Sequence, residues 1–171
     1  MVRVIPIPGG GEQLPFVESI PSRTVTATGA TSVGNTAFYY RVRVSKPIAV
    51  TQASWYVGAA AGNVDAGIGT ISGTTFTLLA STGSVAVAGS AVVQSANLSA
   101  PVTLAPGVDY YLAFVASTVT TLTLGRNVVT AALLSASSGD VYNKTTELPL
   151  TTGVTVTAGT TANLILWVRL S

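Results

Sequence analysis

From Thr24 onward, apolar side chains recur at every second position in short runs, and each run stops at a turn dipeptide. A helix with a period of about 3.6 residues cannot gather such positions on one face, whereas a pleated strand does so by construction. Phe38, Tyr40, Val42 and Val44 alternate with Tyr39, Arg41, Arg43 and Ser45 until Pro47 ends the run. The same reading predicts strands at 48–57, 63–71, 75–81, 91–98, 109–117, 119–124, 153–158 and 161–170. Ser72-Gly73, Thr82-Gly83, Ala88-Gly89, Pro106-Gly107 and Thr152-Gly153 supply the turns between them. Abundant Thr, Val and Ile favour the strand throughout.

Some of these runs are apolar on both faces. In 110–116, Tyr110, Leu112, Phe114 and Ala116 share one face while Tyr111, Ala113 and Val115 share the other, so this strand is central and covered twice. The last strand has Leu164, Leu166, Val168 and Leu170 on one face, with Ile165 and Trp167 on the other. The expected fold is therefore all-β, an antiparallel, jelly-roll-like β-sandwich of about 8 to 10 strands with its two inner faces about 10 Å apart. Only 130–137 has the composition of a short helix, closed by Ser138-Gly139-Asp140. Thr-Val-Thr triplets recur at 24–26, 118–120 and 155–157, but their irregular spacing excludes a repeat architecture.

Residues 1–23 read as an extended arm preceding a sandwich domain at 24–171. Pro6, Pro8, Pro15 and Pro21 prevent a helix or a regular central strand, and Gly9-Gly10-Gly11 adds a joint. The arm is nevertheless too apolar for a solvated linker. Packing along its own domain and docking on another subunit both satisfy that composition. For the second, the contact residues are Ile5, Ile7, Phe16, Ile20 and Arg23.

The composition narrows the chemistry. The 171 residues contain no histidine, no cysteine, eight Lys+Arg and six Asp+Glu. Disulfides are ruled out, and proton relays through imidazole, thiol catalysis and most zinc sites lose their usual ligands. We expect no enzyme, no cofactor and no bound metal. A net charge of +2 built from so few groups, with Arg41, Arg43 and Lys46 the only close basic residues, gives no nucleic-acid surface. The apolar runs are broken well short of the roughly 18 to 20 residues a spanning helix needs, so no membrane insertion is expected. The proline-broken start lacks the pattern of a secretion signal.

Remaining candidates for chemistry are few. Glu12, Glu18, Asp65, Asp109, Asp140 and Glu147 show no spacing that demands a carboxylate pair. Asp109 and Asp140 follow turn dipeptides and read as turn residues. Ser45 and Lys46 point to opposite faces, and Gly9-Gly10-Gly11 lacks the lysine of a phosphate loop. Asp65 with carbonyls around Gly62-Asn63 is the one arrangement of hard oxygen ligands suited to calcium. Aromatic residues offer more. Phe38-Tyr39-Tyr40, Trp55-Tyr56 and Tyr110-Tyr111 each send one ring inward and one outward, which defines an outward aromatic and basic face of Tyr39, Arg41, Arg43, Trp55, Tyr111 and Trp167. Such rings are covered by the same chain, anchor a subunit contact or stack on a sugar.

Four stretches carry a resemblance: Gly62-Asn-Val-Asp-Ala-Gly-Ile-Gly69, Leu78-Leu-Ala-Ser-Thr-Gly83, Ala100-Pro-Val-Thr-Leu-Ala-Pro-Gly-Val-Asp-Tyr-Tyr-Leu-Ala-Phe114 and Leu164-Ile-Leu-Trp-Val-Arg-Leu170. Over residues 36–170 the chain resembles β-sandwich modules on tailed-bacteriophage virions, among them head decoration, head-fibre and tail-fibre proteins. The resemblance implies a non-enzymatic structural protein, often a homotrimer, made in the host cytoplasm and carried on the capsid surface. Its partners would be the major capsid protein and its own copies. The alternative is a receptor-binding module of a tail or head fibre that contacts a host-surface glycan. The short chain, with neither coiled-coil stalk nor repeats, favours decoration.

Overall fold

The structure, a computed structural model, describes residues 16–19, 27–30, 34–117, 121–128, 141–145, 147–158, 164–166 and 168–171. Its strands are β1 (Val17–Glu18), β2 (Ala27–Ala30), β3 (Thr36–Val42), β4 (Ile48–Ala59), β5 (Asn63–Ser72), β6 (Thr75–Ser81), β7 (Val85–Ala86) and β8 (Ser90–Leu104). There follow β9 (Tyr110–Ala116), β10 (Thr123–Val128), β11 (Val141–Thr145), β12 (Val154–Thr155), β13 (Thr157–Ala158), β14 (Leu164–Leu166) and β15 (Val168–Leu170). Among the described residues there is no helix.

All pairings are antiparallel and form two sheets. The first runs β1-β15-β4-β10-β14, with β8 along the other side of β4 and β2 beside β10. The second runs β12-β6-β5-β9-β3-β11-β13, with β7 also beside β5. This is the all-β, sandwich-like fold expected from the period-two pattern.

Alternation along each strand decides which side chains fill the space between the sheets. Phe38, Tyr40 and Val42 of β3, Val64, Ala66 and Ile68 of β5, and Leu112 and Phe114 of β9 meet Val50, Ala53, Trp55 and Val57 of β4 and Leu170 of β15 in one buried cluster. The rings of Trp55 and Phe114 approach across it at 6.3 Å between centroids. Each large side chain buried here contributes roughly 1.5 to 3 kcal/mol of transfer free energy. Tyr110 combines a buried ring with a hydroxyl that accepts the Ala105 N–H at 3.0 Å, pinning the turn that precedes β9.

The second sheet is covered on its outer side too. Ala37, Tyr39, Phe76, Tyr111, Ala113 and Val115 form a further buried cluster with Leu150 and Val156, which belong to the segment 147–158 crossing that face. The double covering of β9 read from its sequence is thus present, every residue of 110–116 being buried.

Three differences from the sequence reading have physical causes. β8 runs past Pro101 to Leu104, although proline lacks a ladder donor. It is tolerated because β8 has β4 on one side only among the described residues, and because the β4–β8 register shifts opposite it, between Val50 and Gln52. β2 and β11 were not anticipated; Ala27-Thr-Gly-Ala30 and Val141-Tyr-Asn-Lys-Thr145 have no apolar alternation strong enough to declare a strand. Finally, the described part of the expected arm belongs to the first sheet. Val17 is buried in the main core and pairs with Leu170, and Ser19 Oγ accepts the Val168 N–H at 3.0 Å. The possible helix at 130–137 lies outside the described residues.

Candidate functional site

The outer face of the second sheet, under the strap 147–158, concentrates the rings and acids that the sequence singled out. Tyr39 on β3 pairs with Ala113 on β9, which pairs with Gly67 on β5, so small residues flank the tyrosine on that side. Phe76 reaches over from β6, its ring 4.5 Å from that of Tyr39. This packing requires glycine at 69, where an added Cβ would stand 2.4 Å from the Phe76 ring and 2.3 Å from the Thr77 carbonyl oxygen. Tyr111 meets Tyr142 of β11 edge-on at 5.6 Å.

Two buried acids order the strap. Asp65 is fully buried on β5, and its carboxylate accepts hydrogen bonds from the Leu150 N–H (3.0 Å), the Ser81 hydroxyl (3.3 Å) and the Thr82 hydroxyl (3.1 Å). Burial raises its pKa above the ordinary aspartate value, and those donors offset the rise in part. Glu147 accepts from both the backbone N–H and the hydroxyl of Thr151, at 2.6 and 2.7 Å, closing the strap on itself. The Glu147 N–H donates to the Asn35 carbonyl at 2.9 Å. The Tyr39 hydroxyl is buried without a hydrogen-bond partner among the described residues, and desolvation, helped by the charge of Glu147, pushes its pKa well up.

These placements correct the expected outward aromatic face. Tyr39 and Tyr111 do point away from the main core, but the chain's own strap and neighbouring strands bury them. Trp55 faces the opposite way, into the main core, leaving Tyr56 as the outer member of its pair, because the alternation of β4 is set by Ala53 and Val57 on the same inner face. Arg41 and Arg43 are exposed, as the strand period requires. Arg41 stands in register with Tyr111, while Arg43 makes a bidentate pair with Asp109, through Nε to Oδ1 and through Nη2 to Oδ2 at 2.9 Å. That guanidinium lowers the Asp109 pKa. Asp109 therefore does more than make a turn: it closes the β8–β9 connection against β3.

Of the arm contacts, Phe16 is half-buried, its ring 5.5 Å from the Arg169 guanidinium carbon of its own chain. Ile5, Ile7, Ile20, Arg23 and Trp167 lie outside the described residues. The oxygens considered for calcium serve the fold: Gly62 O accepts the Val87 N–H and Asn63 O the Ser117 N–H, while the Asp65 carboxylate turns to Ser81, Thr82 and Leu150. Among the described residues no three His, Cys, Asp or Glu side chains cluster as metal ligands. Nor is any helix among them long and apolar enough to cross a membrane.

Sequence reasoning missed the strap. The sequence predicts a strand at 153–158, where β12 and β13 lie, but not that 147–158 covers the second sheet; the missed signal is Leu148 and Leu150, apolar residues beside Pro149 outside any expected strand. No family model and no curated protein matches this chain.

Proposed function

We propose that this chain is a non-enzymatic structural protein of a virion, a head decoration protein of the tailed-bacteriophage kind that binds the major capsid protein and its own copies. The observation that carries this reading is the use made of the ionisable groups. Asp65 holds the strap onto a sheet, Glu147 closes the strap on itself through Thr151, and Asp109 holds a turn through Arg43, so these three acids are engaged in fastening the fold. A shell-cementing protein needs a rigid, doubly covered sandwich and open surface for contacts, and buried area on the scale of about 1,200 to 2,000 Å² would secure each copy. The resemblance of residues 36–170 to virion surface modules supports the same reading. The burial of Tyr39, Trp55 and Tyr111 supports decoration over the glycan-binding alternative, which would call on exposed rings.

The test is co-sedimentation of the purified protein with heads of the virus that carries its gene. Saturable binding to heads, with higher resistance of those heads to heat or chelation, is the expected result. Pelleting with host cells or tails and not with heads would replace decoration by receptor binding.

A further inference from the structure

We propose that the free edge of β8 pairs antiparallel with β8 of a second copy of this chain, so that the first sheet continues across a twofold axis. β8 is the longest strand of the fold, 15 residues, and it forms one flank of the first sheet. Among the described residues its ladder partner is β4 alone, which satisfies one side of its backbone. The other side presents a row of N–H and C=O groups, whose natural complement is another extended backbone.

Proteins ordinarily protect such an edge with lysine, proline, a bulge or a short strand. From Ser90 to Ala100 β8 has no charged residue and no proline, and between the positive φ of Ala91 and the register shift that begins after Asn97 it pairs regularly with β4 over Val92–Asn97. Val92 and Val93 are 42% and 51% exposed, the former on the face of the sheet that carries Trp55 and the latter on the opposite face. Leu79 of β6, which approaches β8 at the same flank of the sandwich, is 44% exposed. An uncharged edge with an exposed valine on each side of its pleat favours a like edge, since two copies bring no like charges together and each covers the valines of the other. A twofold axis is the natural closure, because antiparallel pairing of identical strands is self-complementary. The opposite flank of the same sheet offers no equal: β1 there has two residues, Val17 and Glu18.

The inference does not depend on the head-decoration reading, and it is tested on the isolated protein without capsids. Sedimentation of the full chain over a range of concentrations should give a mass of two 17.3 kDa chains. Val93→Lys should weaken that association by about tenfold or more, the loss corresponding to at least about 1.4 kcal/mol. Val108→Lys, at an exposed position on the turn after β8, should leave it unchanged. Circular dichroism should show both variants folded. Hydrogen exchange on the dimer should protect alternate amides of 90–100 that exchange in the Val93→Lys variant. A single-chain or three-chain mass for the unsubstituted protein, a dimer indifferent to Val93→Lys, or a dimer with unprotected β8 amides would each overturn the proposal.

Discussion

The core between the sheets and the core beneath the strap both bury aromatic rings, but they are held by different forces. The inner one is a cluster of aliphatic and aromatic side chains contributed by both sheets. The outer one combines Tyr39, Phe76 and Tyr111 with a fully buried Asp65 and a buried Glu147. A sheet facing another sheet finds apolar partners at every second residue. A sheet covered by an irregular segment must also satisfy that segment's backbone, and Asp65 does so by accepting the Leu150 N–H. The inner core therefore rests on volume and the outer core on hydrogen bonds and close backbone approach.

If that contrast is right, cavity formation is most costly in the inner core. Phe114→Ala should lower stability by about 3 to 5 kcal/mol in chemical denaturation, since both sheets close on Phe114 and neither can collapse into the gap. In the outer core the sensitive position is a glycine. Gly69→Ala should cost about 1 to 3 kcal/mol, because the new methyl meets the Phe76 ring and a backbone oxygen that cannot move away cheaply. A Gly69→Ala cost exceeding that of Phe114→Ala would break the ranking.

Asp65 sharpens the comparison through pH. Its folded-state pKa is raised by burial, so the carboxyl is most favourable to the fold when protonated. That contribution is full below the ordinary aspartate value of 3.8 and is lost as pH rises through the raised folded value. Asp65→Asn, whose amide oxygen still accepts the Leu150 N–H, should remove this slope and match or exceed the native protein in Tm at neutral pH. Asp65→Ala leaves that buried N–H unpaired and should cost about 1 to 3 kcal/mol. Thermal melts of both variants from acid to neutral pH would separate the charge of Asp65 from its hydrogen bonds.

The smallest effect belongs to the surface. Arg43→Ala should cost no more than about 1 kcal/mol, because the Arg43–Asp109 pair is solvent-screened. The Asp109 pKa is lowered by its partner, so what the pair contributes is present above the ordinary aspartate range and lost as pH falls through the depressed value, the reverse of Asp65. Added salt should shrink it further, which a melt at two ionic strengths would show.

The strands around the inner core were legible because alternation is a local property. Phe38, Tyr40 and Val42, or Leu112 and Phe114, announce a buried face whatever lies opposite. The candidate site was much less legible. Tyr39, Trp55 and Tyr111 could be marked as members of ring pairs, but local sequence carries no sign of which ring a distant segment will cover. Asp65 lies 85 residues from the Leu150 N–H it accepts, and Asp109 lies 66 from Arg43. No spacing rule connects them.

By itself, then, the sequence determined an all-β chain with a central strand covered twice, because a period of two and turn glycines leave a pleated sheet as the way to bury those residues. Only the tertiary structure decided that Trp55 turns inward, that residues 147–158 close over Tyr39 and Tyr111, that Val17 joins the sheet beside Leu170, and that among the described residues β8 has a neighbour on one side alone. Strand order and layer contacts come from pairings between residues far apart along the chain. Their selection depends on how all the faces fit together, and a local pattern cannot encode it.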